Sequence, residues 1–350
     1  MTTSQSSDFN LNRPGKLIAA LPAVLGFVPE KSLVLVTVDR GEMGCVMRVD
    51  LSAELADAVE HIAEVAAAAR PDAAIAVVVD DDGARCQMCN DEYRELADTL
   101  TTSLAERGIE LLAAHVVDKV AAGGRWHCAD GCGNGGAVDD PAASPLAAAA
   151  VLDGRRLYAR RAELQAVIEV DPVRSERLVE VIGGLEVKQQ GRARSDNKAR
   201  GDVEAAVDAA GRVADGAVLS DDELAGLALA LTDTRVRDTL YALAVGENAD
   251  QAESLWALLS RSLPDPWRVE PLVLLAFSAY ARGDGPLAGV SLDAALRCDP
   301  THRMAGMLDT ALQSGMRPER IRDLALTGYR LADRLGVRLP AKRSFRRRAG

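Results

Sequence analysis

The chain has 350 residues, 48% of them apolar and 27% charged, and its acids exceed its bases by eleven. That length exceeds what one ordinary core organises and predicts two domains. The acidic excess is repelled by phosphate backbones, which argues against nucleic acid as a partner. No stretch reaches the roughly 18 uninterrupted apolar residues of a membrane span, which argues against a membrane.

Residues 1–12 are polar and lack the basic start and apolar run of a signal peptide, so they read as a disordered lead into a cytoplasmic protein. There, the six cysteines are expected to be reduced or metal-bound rather than paired in disulfides. Leu17, Ile18, Leu21, Val24 and Leu25 give a helical spacing over 13–27, ended by Gly26. Residues 32–38 and 45–51 read as two strands of a hairpin. A helix capped by Ser52 runs to Arg70, and a buried strand follows over 73–79. A helix over 91–107 and a strand over 109–117 complete a strand–helix–strand–helix–strand pattern, that of an α/β mixed sheet with a hairpin and parallel crossovers. Residues 124–140 read as a loop, and helices follow at 144–152, 161–170 and 171–182.

The α/β domain is thus expected over 13–186. Residues 187–203 are polar and Gly-containing, and read as a linker. Beyond them lies an all-α domain over 204–335, with helices at 203–216, 221–231, 234–245, 250–263, 270–282, 286–298, 301–314 and 318–335. Residues 336–350 form a tail, basic from Lys342 to Arg348. Leu272, Leu275, Ala276, Ala279, Ala288, Leu292, Ala295 and Pro300 occupy the small and large apolar positions of a tetratricopeptide-like helical pair, with a weaker copy at Ala252, Trp256, Leu259 and Pro264. One good unit and one poor one make a repeat-like helical domain rather than a solenoid.

Four segments carry a resemblance to a known family. They are Leu21-Pro-Ala-Val-Leu-Gly-Phe-Val-Pro-Glu-Lys-Ser-Leu-Val34, Arg48-Val-Asp-Leu51, Arg125-Trp-His-Cys128 with Asp140-Pro-Ala-Ala-Ser-Pro-Leu146, and Leu275-Ala-Phe277 through Asp299-Pro300. In this order they resemble the actinobacterial family of domain of unknown function 4192, over roughly residues 13–330. The resemblance implies a shared fold and no established activity. Of the family's Cys, acidic and Cys-Cys-Pro pattern, Cys128, Asp130 and Cys132 match; the cysteine doublet and its proline are missing.

Several residues offer chemistry. Cys86-x-x-Cys89 and Cys128-x-x-x-Cys132 each follow a strand, and two soft-thiolate pairs that met at the strand ends would suit zinc. The competing reading is unpaired thiols in loops. Cys86 and Cys89 also precede a helix, where a redox dithiol could sit, although Asp80–Asp82 beside them disfavour thiolates. Those three acids could instead hold Mg²⁺ or simply end a strand in solvent. Arg125, Trp126 and Asp130 are candidates for contact with a ligand or anion, against a Trp buried under the loop with its Arg paired to an acid. The glycines at 131–136 lack the Lys-Ser/Thr of a P-loop, and the four histidines, His61, His115, His127 and His302, are scattered. The leading reading is a protein-binding or scaffold module using its helical domain. The alternative is an enzyme or ligand sensor with its site at the sheet's C-terminal ends near Arg125 to Cys132, with zinc as the candidate cofactor.

Overall fold

A computed structural model describes residues 13–52, 55–68, 70–152, 155–189 and 195–343. The expected disordered lead at 1–12, the middle of the expected linker (190–194) and the end of the basic tail (344–350) lie outside the described residues. The chain divides at Arg161 into two units, an α/β unit and a helical one.

The first unit opens with α1 (Pro14–Leu25), which Gly26 ends in a left-handed conformation, its N–H capping the Pro22 carbonyl. Then come β1 (Ser32–Asp39), β2 (Glu42–Asp50), α2 (Leu55–Ala68), β3 (Ala73–Val79), α3 (Gln87–Ala105), β4 (Glu110–Val117), β5 (Arg125–Cys128), β6 (Gly135–Ala137) and α4 (Pro145–Leu152). The six strands form one sheet in the order β2-β1-β3-β4-β5-β6. β1 is antiparallel to both β2 and β3, while β3 and β4 are parallel. The α2 connection therefore crosses over β1 before β3 pairs, and the α3 connection joins neighbours. This is the expected mixed sheet with a hairpin and parallel crossovers.

β1 and β3 are central and buried on both faces, which is why each is a near-continuous apolar run rather than an alternating one. On one face Leu33, Leu35, Ala74, Ala76, Val78 and Val116 pack with Val59, Ile62, Leu100 and Leu104 of α2 and α3. On the other face Val34, Val36, Val77 and Val79 are buried too, and there Gly15 of α1 abuts Trp126.

The segment read as a loop, 124–140, contains β5 and β6, which add an antiparallel hairpin to the β4 edge. Four residues of β5 and the Gly-Gly-Ala of β6 are too short to show an alternating pattern, and glycine carries no β-propensity. Their strand state comes from pairing with β4.

The second unit is helical: α5 (Arg161–Gln165), α6 (Pro172–Gln189), α7 (Asp196–Ala214), α8 (Asp221–Leu231), α9 (Thr234–Leu240), α10 (Ala249–Ser262), α11 (Val269–Arg282), α12 (Gly285–Cys298), α13 (Arg303–Gln313) and α14 (Pro318–Leu335). α5 and α6, read from sequence as the end of the α/β domain, group with this unit; Leu178 and Ile182 are fully buried and α6 packs against α8. Residues 196–203 of the expected linker are the start of α7, which Ser195 caps through the Lys198 N–H. α8 starts with a reciprocal capping box between Ser220 and Glu223. α11, with twelve buried residues, packs most extensively on α12 across the turn at Gly283-Asp284.

Candidate functional site

The parallel strands β3 and β4 end side by side at Val79 and Val117, and the turns beyond them bring several charged groups together. After β3, the Asp80–Asp82 carboxylates converge within 4.8 Å of one another. Lys31, entering β1 with a left-handed φ of 43°, reaches all three: Asp80 in close contact, Asp82 at 2.9 Å and Asp81 at 3.5 Å. The acid cluster read as a candidate Mg²⁺ site is thus answered by an ammonium of the chain itself. Burial alone would raise Asp80, but hydrogen bonds from Lys31, Tyr93 and the Gly83 and Asp82 backbone outweigh it and hold the carboxyl below its ordinary value.

After β4, Asp118 is 5% exposed and organises the next turn. Its Oδ1 accepts the Arg125 backbone N–H at 2.7 Å, its Oδ2 accepts from the Arg85 guanidinium at 3.2 Å, and its own N–H donates to the Arg125 carbonyl. Burial raises this carboxyl as well, and the bonds from Arg125, Arg85 and Lys119 reverse the shift.

Between the Ala84-Arg85 turn and the β5–β6 hairpin lies a cleft of about 490 Å³, lined by Arg85, Asp118, the Arg125–Cys128 strand, Asn134 and the hairpin glycines. Strand alternation separates the hairpin side chains: Arg125 and His127 lie toward the α2/α3 face, Trp126 and Cys128 toward the α1 face. His127 bridges the cleft floor, its Nε2 3.2 Å from the Ala84 carbonyl. Among the described residues, the exposed Arg125 guanidinium has neither an ion pair nor a hydrogen bond; Asp118 accepts from its backbone N–H. The Arg85 side chain is 79% exposed despite its bond to Asp118.

On the other side of the hairpin, the register pairs His115 of β4 with Cys128 of β5. Nδ1 of His115 lies 3.9 Å from the Cys128 Sγ, and the Trp126 ring meets the imidazole edge-on at 5.1 Å. Burial pushes His115 down to about 4 against the pull of Asp130, so the imidazole is neutral at neutral pH. Burial, then the neighbouring Cys132 and Asp130, pushes the Cys128 thiol up to about 11. Asp130 does not line the cleft. It turns the loop, accepting the Cys132 N–H at 2.9 Å, and its carboxylate lies within 4.8 Å of both the Cys128 and Cys132 thiols.

The two cysteine pairs do not form one ligand set: among the described residues, the groups of three or more ligand atoms within 4.8 Å are Cys128/Asp130/Cys132 and Asp80/Asp81/Asp82. Cys86 stands at the N-cap position of α3 instead, and the Cys89 N–H and thiol hold the Cys86 thiol below its ordinary value while Cys89 is pushed up by Cys86 and by burial. Sequence reasoning did not connect Arg85, Asp118 and His115 with this end of the sheet. The signal for His115 was the β4–β5 register, which is invisible once 124–140 is read as a loop.

The helical unit has a cavity of about 270 Å³ between α7 and α8, but its charged lining residues pair with one another, Lys198 with Asp202 and Arg212 with Glu223. Among the described residues, no helix is long and apolar enough to cross a membrane. No curated protein and no solved structure matches the chain. The model of the family described as Domain of unknown function (DUF4192) matches residues 14–319, spanning both units, and the chain belongs to that family.

Proposed function

We propose that the chain is a small-anion-binding protein whose site is the cleft between the Ala84-Arg85 turn and the β5–β6 hairpin. The observation that carries this reading is the Arg125 guanidinium, which lines the cleft without a carboxylate partner in a chain whose acids exceed its bases by eleven. Arg85 lines the same cleft as a second cation, bonded to Asp118 yet exposed enough to turn to a ligand. Two guanidiniums against one carboxylate suit a carboxylate- or phosphate-bearing small molecule, which arginine binds in a bidentate manner. The position beyond the C-terminal ends of parallel strands is where open α/β sheets place ligands.

The chemistry around the cleft supports binding over nucleophilic catalysis. The Cys128–His115 pair resembles a nucleophile and base by proximity, but a thiol pushed up to about 11 beside an imidazole pushed down to about 4 is neutral on both sides. A protein partner for the helical unit gains no site of comparable definition; exposed apolar side chains such as Met307 and Leu324 are ordinary on a globular surface. The test is a thermal-shift screen of small carboxylates and phosphates against the wild type and Arg125→Ala. Stabilisation of the wild type alone supports the reading, and equal shifts in both proteins would remove it.

A further inference from the structure

The thiols and imidazole on the far side of the hairpin form a second site. We propose that Cys128, Asp130, Cys132 and His115 bind one zinc-class divalent ion that ties the β5–β6 turn to β4. The two thiolates, carboxylate and imidazole are the donor types of a closed tetrahedral zinc site. With Zn–S and Zn–N bonds of about 2.3 and 2.0 Å, a tetrahedral ion separates its sulfur and nitrogen ligands by roughly 3.6 Å. The Cys128 Sγ and His115 Nδ1 stand 3.9 Å apart, so that pair needs a shift of only a few tenths of an ångström to close on an ion. The Cys128, Asp130 and Cys132 ligand atoms lie within 4.8 Å of one another; His115 stands outside that set, so the loop carrying Asp130 and Cys132 moves toward the imidazole to complete the shell.

The surroundings fit the same purpose. His115 is 4% exposed, and among the described residues its hydrogen-bond partner is the Cys128 thiol. The Asn134 Nδ2 donates to the Cys132 Sγ at 3.2 Å, the kind of outer contact that steadies a ligating thiolate. Asp130 uses one carboxylate oxygen on the Cys132 N–H and keeps the other for the ion. Gly131 and Gly133 adopt left-handed φ values of 73° and 81°, which lets the short loop fold its ligands inward. Binding releases the two thiol protons to solvent, leaving both sulfurs as thiolate ligands. With all four positions supplied by the chain, the ion's role is structural.

The experiment strips the full-length protein with a chelator and titrates Co²⁺ alone, following the thiolate-to-cobalt charge-transfer band. One equivalent is expected to produce the band, and one equivalent of Zn²⁺ to abolish it. Cys132→Ser, at an exposed loop position, is expected to lower the Co²⁺ affinity more than about tenfold, and Asn134→Ala by about 10–100-fold. Cys86→Ser and Cys89→Ser are expected to leave the band intact. No band in the folded wild type, or a band lost in Cys86→Ser but kept in Cys132→Ser, would overturn the site. The proposal does not rest on anion binding: Arg125→Ala is expected to retain the cobalt band.

Discussion

His115 and Cys128 are thirteen positions apart in sequence and face each other across the β4–β5 ladder, with Nδ1 3.9 Å from Sγ. Their closeness depends on β5 being a strand. Both are neutral at neutral pH in the metal-free protein, the thiol because burial raises it to about 11 and the imidazole because burial lowers it to about 4.

Thiol reactivity is expected to follow that electrostatic difference. Cys86, at the start of α3, is held below its ordinary value by the Cys89 N–H and thiol, whereas Cys128 is held above its own. In metal-free protein at mildly alkaline pH, iodoacetamide is expected to label Cys86 well before Cys128, because the thiolate is the reacting form. Mass mapping of labelled peptides over time checks this; equal rates would contradict it.

Asp80 should make the α/β unit's stability depend on pH. The hydrogen bonds from Lys31 and Tyr93 outweigh burial and depress its folded value. Its contribution is therefore present above the unfolded carboxyl value and is lost as pH falls through the lower, folded one. Asp80→Asn is expected to destabilise the unit by about 2–3 kcal/mol at neutral pH, the scale of hydrogen bonds to a charged group. The gap to wild type should narrow as pH falls below the ordinary carboxyl value and through the lower, folded one. Hydrogen exchange of the β3 amides reads it, and a gap independent of pH would count against the network.

Gly15 permits the approach of α1 to the sheet. A Cβ there would lie 2.4 Å from the Ala137 carbonyl oxygen, a backbone atom in β6. Gly15→Ala is expected to cost about 1–3 kcal/mol and to alter Trp126 fluorescence, because the indole Nε1 lies 3.5 Å from the same point. A calorimetric melt at wild-type temperature would contradict the packing.

In the helical unit two helix glycines should respond with opposite signs. A Cβ at Gly328 of α14 would meet the Thr239 carbonyl oxygen at 2.7 Å and the Ala242 Cβ at 2.8 Å, whereas one at Gly306 of α13 meets open space. Gly328→Ala is expected to lower the melting temperature. Gly306→Ala is expected to stabilise by about 0.5–1 kcal/mol, the helix-interior difference between the two residues. Like signs for both would contradict this placement of α14.

The elements that showed in the sequence are those whose pattern is local. The apolar runs of β1 and β3 and the Gly26 stop each announce themselves within a few residues. β5 and β6 do not, since Arg-Trp-His-Cys and Gly-Gly-Ala become strands only through β4. The site was legible to the same extent. Arg125, Trp126, Cys128, Asp130 and Cys132 stood out by type and spacing, but they sort to two sides of one hairpin. His115 joins the thiols through the β4–β5 register, and Arg85 and Asp118 join the cleft through the turns after β3 and β4. The four cysteines looked like one set because each pair follows a strand, yet Cys86 and Cys89 are drawn into the start of α3.

The most direct test of the anion-binding account is calorimetric titration of inorganic phosphate, pyrophosphate and a small dicarboxylate into wild type, Arg125→Ala and Arg85→Ala. The account predicts saturable one-to-one binding of at least one of these by the wild type. It also predicts a loss of about tenfold to a hundredfold in Arg125→Ala, the scale of one charged hydrogen-bonding group, and a smaller loss in Arg85→Ala. Binding that survives Arg125→Ala unchanged, or no binding of any of the three anions to the folded wild type, would contradict it.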